Sequence, residues 1–230
     1  AIPPIQGLQD NPYVYTSTEL LNIDHIPEHL VVIGGGVIGL EFAALFSQVG
    51  SQVTVLEMLP EIAPLLEPEI RKTLIRALPD ISVEVEATVT LVKSNTVTYE
   101  KKGKIIELKS DAILVATGRK PRTEGIGLKE AGVKTKNGYI LVNERMETSA
   151  PRIYAIGDGV GTSLFAHSAS RMGEVAVRVL NGKRSEQMNY HAIPWAIYTW
   201  PEVAGCGITE KQAKEQHIEV KTATGLMRLS

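Results

Sequence analysis

The run Gly34-Gly35-Gly36-Val37-Ile38-Gly39 has the spacing GxGxxG, and the chemistry open to it is that of a phosphate cradle. The first glycine of such a run permits a tight turn, the second lets backbone approach a pyrophosphate, and the third lets a helix pack closely on a strand. A helix opening there aims N–H groups and the positive end of its dipole at the anion. Leu40 and Glu41 carry the run into that helix. Glu57 follows Gly39 by 18 residues, where a dinucleotide fingerprint places a carboxylate that accepts from the adenosine ribose hydroxyls and repels a 2′-phosphate. The next arginine is Arg71, so the pattern favours NAD over NADP. Each feature also has a plainer reading. Glycine runs occur in ordinary turns, Glu57 reads equally as a solvated acid at a strand end, and Glu41 as an exposed helix residue.

Other reactive side chains are sparse. Asp158, between Gly157 and Gly159, reads on its own as the cap of a turn. Cys206 is the single cysteine, which excludes an internal disulfide framework and a CxxC pair; between two glycines it is expected to be a small buried thiol. The five histidines show no metal-ligand spacing. His167 reads as a packed helix residue, and His25, His29, His191 and His217 as surface or loop residues.

The elements that must position these groups follow from apolar periodicity. Residues 30–33 are a continuous apolar run, as expected of a strand buried on both faces. Ile38, Phe42, Leu45, Phe46 and Val49 line one helix face, Gly50 supplies the terminating left-handed position, and residues 52–56 form a second strand, completing a βαβ unit. Pro68 opens a helix whose buried stripe is predicted as Ile70, Leu74 and Leu78, ended by Pro79. A strand is expected at 82–85, an antiparallel meander over 89–108 and a buried strand at 111–115. Residues 119–150 read as surface connection with a short helix near Leu128. A strand at 152–156, a long helix ending at Asn181-Gly182, strands at 195–199 and 203–206, a helix at 210–216 and a final strand complete the prediction. Residues 1–28, with four prolines, read as an entry linker broken by one helical turn at 17–21.

Composition removes several function classes. A net charge of -2 leaves no basic excess for nucleic acid, and no apolar run approaches the roughly 20 residues needed to cross a bilayer. The sequence begins at Ala1 with no leader pattern, so any targeting signal is expected outside it; the expected location is the cytoplasm.

Four ordered motifs carry a resemblance to a known family. Residues from Val31 through Glu41 resemble the NAD motif of the pyridine nucleotide–disulfide oxidoreductases. Ala116-Thr117-Gly118-Arg119-Lys120-Pro121 is similar to their ATGRxP junction, Ile153-Tyr154-Ala155-Ile156-Gly157-Asp158 to their second flavin motif, and Tyr198-Thr199-Trp200-Pro201-Glu202-Val203-Ala204 to their YTxPEVA segment. Gly39 and Glu57 resemble the NAD-using branch, and Leu164-Phe165-Ala166-His167 resembles the xLAH segment of its dihydrolipoamide dehydrogenases. Arg122 and Met172 depart from the family pattern, at positions that touch no cofactor in it.

The resemblance implies an α/β fold: a Rossmann-like, doubly wound NAD domain at 29–117, with an antiparallel β-meander, inserted in a partial second Rossmann-like FAD domain. The second part of that FAD domain falls at 118–187, the start of an α+β interface domain at 188–230, and linker or partial FAD domain at 1–28. It further implies that Gly34, Gly35, Gly36, Val37, Ile38, Gly39, Leu40 and Glu41 contact NAD, with Val37 gating the nicotinamide pocket. Glu57 would hold the adenosine ribose, Val89 would lie against the adenine, and Gly118 would approach the nicotinamide side. Asp158 would bond the FAD ribityl chain, and the backbone at Leu164, Phe165, Ala166 and His167 would face the flavin pyrimidine. The family's FAD phosphate loop and disulfide would precede Ala1, and its His–Glu base pair would follow Ser230, so no catalytic residue is expected here. The parent is expected to be a homodimeric component of 2-oxo acid dehydrogenase complexes. The alternatives are another disulfide or mercuric reductase, or a truncated NAD-binding module without turnover.

Overall fold

The computed structural model describes residues 2–78 and 80–225, so the helix stop expected at Pro79 lies outside the described residues. In chain order the strands and helices are β1 (Val14–Tyr15), α1 (Ser17–Leu20), β2 (His29–Ile33), α2 (Val37–Gln48), β3 (Gln52–Leu56), α3 (Pro68–Ala77) and β4 (Ile81–Glu84). There follow β5 (Thr88–Lys93), β6 (Thr96–Lys101), β7 (Lys104–Lys109), β8 (Ala112–Val115), β9 (Thr135–Lys136), β10 (Tyr139–Ile140), α4 (Ala166–Leu180), β11 (Pro194–Ile197), β12 (Val203–Cys206) and α5 (Glu210–Glu215).

The central sheet has the order β1-β8-β2-β3-β4, and every pairing in it is parallel. The inner strands β2, β3 and β8 are mostly apolar and buried because both faces are covered, and the two-residue period sends alternate side chains to different cores. Leu30, Val32, Val53, Val55 and Leu114 join Leu40, Ala43 and Phe46 of α2 and Leu74 of α3 on one face. Val31, Ile33, Ile113 and Val115 meet Leu8 and the meander residues Val89, Val92, Val97 and Tyr99 on the other. The result is a Rossmann-type α/β layer, with helices on one face and the antiparallel β5-β6-β7 sheet on the other. Each buried Leu, Val or Ile contributes roughly 1.5–3 kcal/mol, so register is strongly fixed wherever α2 meets β2 and β3.

Further along the chain, Met172, Val175 and Val179 of α4 pack with Met146 and Met188 in a separate cluster. The β11–β12 hairpin instead returns to the helical face of the parallel sheet, where Ile197 and Val203 join the first core.

Several expectations change. The segment read as a linker supplies β1, paired in parallel with β8, and buries Leu8 under the meander; its prolines limit regular structure but not packing. Residues near Leu128 form turns rather than a helix, and the connection instead holds the β9–β10 hairpin. The strand expected at 152–156 is reduced to a single bridge between Tyr154 and Glu147. On α3, Ile70 is 46% exposed while Arg71 is 8% exposed, because the guanidinium finds partners inside the fold. Cys206 is exposed, not buried. His29 opens β2 and its Nε2 lies 3.0 Å from Thr54 Oγ1, so it is a strand residue. After α5, residues through 225 form no strand, and the rest of that expectation lies outside the described residues. Among the described residues no helix is long and apolar enough to cross a membrane, and no group of three or more His, Cys, Asp or Glu residues could hold a metal ion.

Candidate dinucleotide-binding site

The turn from β2 to α2 is built around its glycines, each for a different reason. Gly34 has φ +114, and a Cβ there would lie 2.6 Å from the Ala116 carbonyl oxygen at the end of β8. A Cβ on Gly39 would lie 2.0 Å from the Gly34 carbonyl oxygen, so α2 approaches β2 through a position where no side chain fits. A Cβ on Gly35 would lie 2.5 Å from Ile62 Cγ2. Gly36 differs from all three: its φ is -78 and a Cβ would meet nothing within 4 Å. The backbone there faces open space.

Gly36 is also the N-cap of α2, and as a glycine it offers no side chain to the first amides. The helix has no acid in its first turn. Such an end leaves N–H groups and the positive dipole end for an anion. Val37 and Ile38 are half-buried in that first turn, whereas Leu40 is fully buried, so only its backbone is near the loop.

Glu57 lies opposite. Its Oε2 accepts from the Gly35 N–H at 2.7 Å and its Oε1 from the Leu59 N–H at 2.8 Å. Each carboxylate oxygen has a second acceptor direction, which leaves capacity for ribose hydroxyls. Glu41, one turn into α2, has its Oε1 3.0 Å from the Tyr198 amide, tying the glycine helix to the chain just after β11. Val89 is 8% exposed within the core under the meander, so its side chain is largely covered by protein. Gly118 follows β8 with φ +121 at an exposed position.

The second group of predicted residues gathers around the start of α4. Asp158 is exposed in a 3-10 turn, Gly157–Gly159, whose first amide lies 3.2 Å from Met172 Sδ. Phe165 is the extended N-cap of α4 and makes no side-chain cap. Its ring stacks on His167 with centroids 5.4 Å apart, and His167 Nε2 lies 2.7 Å from the Pro194 carbonyl oxygen. His167 is therefore a link to β11, in keeping with a structural imidazole. Leu164 and Ala166 are exposed.

Sequence reasoning missed residues 58–67, which wall the glycine loop. Ile62 and Leu66 are buried there, and the Ala63 N–H donates to the Gly35 carbonyl at 2.9 Å. The segment has no periodic signal, and its prolines read as ordinary loop. Arg71 was missed as well, although it lies three residues before Leu74 and seven before Leu78, a helical spacing that fits the buried stripe as well as Ile70 does.

Comparison with known proteins bears on this geometry. Residues 1–173 match the family model described as pyridine nucleotide-disulphide oxidoreductase, and residues 193–228 match that family's dimerisation domain. The dihydrolipoyl dehydrogenase of Thermus scotoductus is 41% identical over 95% of this chain and 49% of its own length. The leghemoglobin reductase of Glycine max is 38% identical over 92% of this chain and 42% of its own length. Among solved structures, an HOCl-induced flavoprotein disulfide reductase of Escherichia coli, in its Cu(II) complex, aligns with a TM-score of 0.85 at 32% identity, covering 94% of this chain and 51% of that one. The chain thus spans about half the length of these relatives. With the glycine turn, the Glu57 carboxylate and the hairpin after α4 all in place, the chain belongs to the pyridine nucleotide-disulphide oxidoreductase family.

Proposed function

We propose that this chain carries the NAD-binding region, and part of the FAD-binding region, of a dihydrolipoamide dehydrogenase-like flavoenzyme. The observation that carries the reading is the uncapped N-terminus of α2 at Gly36, open to an anion and flanked by a Glu57 carboxylate with acceptor capacity to spare. Residues 29–117 form the NAD domain, 118–187 the second part of the FAD domain, 188–230 the start of the interface domain, and 1–28 the approach to them.

In this reading the backbone from Gly34 to Glu41 receives the pyrophosphate, Glu57 takes the ribose hydroxyls, and Val37 borders the nicotinamide. Val89 lies on the adenine side and Gly118 toward the nicotinamide. Asp158 and the α4 start at Leu164–His167 address the ribityl chain and ring of FAD. When bound, the flavin and nicotinamide supply two-electron transfer, taking electrons from a dithiol through a disulfide to NAD+ in the whole enzyme. The chain's own residues bind, orient and shield; none of them is assigned a bond-making step. The whole enzyme is a cytoplasmic homodimer that serves 2-oxo acid dehydrogenase complexes.

NAD is preferred because the arginine nearest in sequence after Glu57 is already engaged: Arg71 is buried against Glu61 and the Leu66 carbonyl, leaving no fork for a 2′-phosphate. Fluorescence titration of the chain with NADH and NADPH tests the reading. Tighter binding of NADH is expected; tighter binding of NADPH, or no binding of either, overturns it.

A further inference from the structure

The wall formed by residues 58–67 is held from behind by a buried cation. On its inner side the wall touches both halves of the proposed adenosine site. The Ala63 amide bonds the Gly35 carbonyl, Ile62 fills the space beside Gly35, and the Leu59 amide bonds Glu57 Oε1. Ala63 itself sits at φ +42, a left-handed conformation that a residue with a Cβ leaves unless its surroundings hold it.

On the outer side stands Arg71 of α3. Its Nη1 lies 2.5 Å from Glu61 Oε2 and its Nη2 donates to the Leu66 carbonyl at 2.9 Å. The side chain is 10% exposed and its Nε is buried without a hydrogen-bond partner. One planar fork therefore pins the wall at two points, residues 61 and 66, on either side of Ile62 and Ala63. A lysine ammonium, a single centre, cannot reproduce that span. Nothing in the proposed chemistry needs a positive charge here, and burying one against a carbonyl and a half-exposed carboxylate is a costly way merely to stabilise a loop.

We propose that Arg71 is a positioning residue for the adenosine half of the dinucleotide: it fixes the 58–67 wall so that Gly35 and Glu57 stand in register before the ligand arrives. The inference rests on the NAD reading above. Its consequence is that Arg71 governs affinity for ligands that carry the adenosine diphosphate more than for the nicotinamide end, since the hydrogen bonds from the wall to the site go to the Gly35 carbonyl and the Glu57 carboxylate.

The test is fluorescence titration of the full chain with three probes, NADH, adenosine diphosphate ribose and reduced nicotinamide mononucleotide, alongside thermal melting. Arg71→Met, which keeps the stem and removes the fork, is expected to weaken NADH and adenosine diphosphate ribose in parallel, by about tenfold, with the mononucleotide affected far less. Arg71→Lys should recover part of that loss. Unchanged adenosine diphosphate ribose binding, or an equal loss for all three probes together with a lowered melting point, overturns the positioning role. If Arg71→Met does not fold, Glu61→Gln decides, because its side chain is 54% exposed and tolerates change. A weakening of adenosine diphosphate ribose by about threefold supports the proposal, and no change overturns it. Failure of the wild-type chain to bind NADH is a separate result that removes the dinucleotide reading itself, and this proposal with it.

Discussion

The two helix starts that the sequence picked out, α2 at Gly36 and α4 at Phe165, share one backbone arrangement and differ in everything around it. Both have an extended N-cap with no side-chain cap. The α2 start is enclosed mostly by near neighbours in sequence: Ile62 stands against Gly35 and Glu57 bonds the Gly35 amide, while Ala116, just after β8 and far along the chain, closes on Gly34. The α4 start is bordered by exposed Leu164 and Ala166 and an exposed Asp158, and its firmest attachment is the His167 link to Pro194. In the proposed reading the first serves as a binding site by itself, because the groups that shape it lie mostly between β2 and α3. The second offers one side of a site and needs more surface to enclose a ligand.

The largest test of that contrast is all-or-none. The chain should purify colourless and bind NADH with a dissociation constant between about 1 μM and 1 mM, on the order of -8 to -4 kcal/mol, without dihydrolipoamide oxidation. A yellow preparation with near-stoichiometric flavin absorbance would erase the difference between the two helix starts.

Within the first site, Gly39 and Gly36 should respond in opposite ways. Gly39→Val forces a side chain where a Cβ already lies 2.0 Å from the Gly34 carbonyl oxygen, and should cost about 3 kcal/mol or more in a urea unfolding titration. Gly36→Ala meets no atom and should change stability by less than about 0.5 kcal/mol while weakening NADH. If Gly36→Ala binds NADH like the wild type, the pyrophosphate does not approach that glycine.

Glu57→Gln comes next. Losing charge-assisted acceptors should weaken NADH by about 1.5–3 kcal/mol, roughly ten- to a hundredfold, and narrow the gap to NADPH. Equal affinities for mutant and wild type would make Glu57 a pure brace for Gly35 and Leu59.

The smallest effect lies in the meander that closes the opposite face of the sheet. Burial, reinforced by the nearby Glu84 carboxylate and opposed by Lys101, pushes the Tyr99 phenol up from its ordinary value. The folded protein therefore holds this proton more tightly than the unfolded chain does. Its contribution is intact below the unfolded value of about 10 and is lost as pH rises through the folded one. Tyr99→Phe should flatten the fall in melting temperature as pH rises above about 10, and an unchanged slope would show that other groups dominate there.

The strand–glycine turn–helix–strand unit, the carboxylate at its end and the ordered motifs are legible along the chain, because apolar runs and glycine spacing express backbone geometry directly, although the face read on α2 included Leu45 and Val49, which are 49% and 46% exposed. The sequence also placed the β5–β7 meander and α4 closely. It failed where local signals compete. Near Leu128 helix propensity yields to turns, and at 152–156 an apolar run finds only a single bridge partner. On α3 two residues fit one stripe, and the choice of Arg71 over Ile70 depends on Glu61 and the Leu66 carbonyl lying within reach of its fork. Likewise it took the packed fold to add the proline-rich start as an edge strand beside β8, to bring Glu41 to the Tyr198 amide 157 residues away, and to set residues 58–67 as a wall against the glycine loop. Each of these rests on a polar side chain or backbone group meeting a partner that the packed fold brings within about 3 Å, and no pattern along the chain encodes that distance.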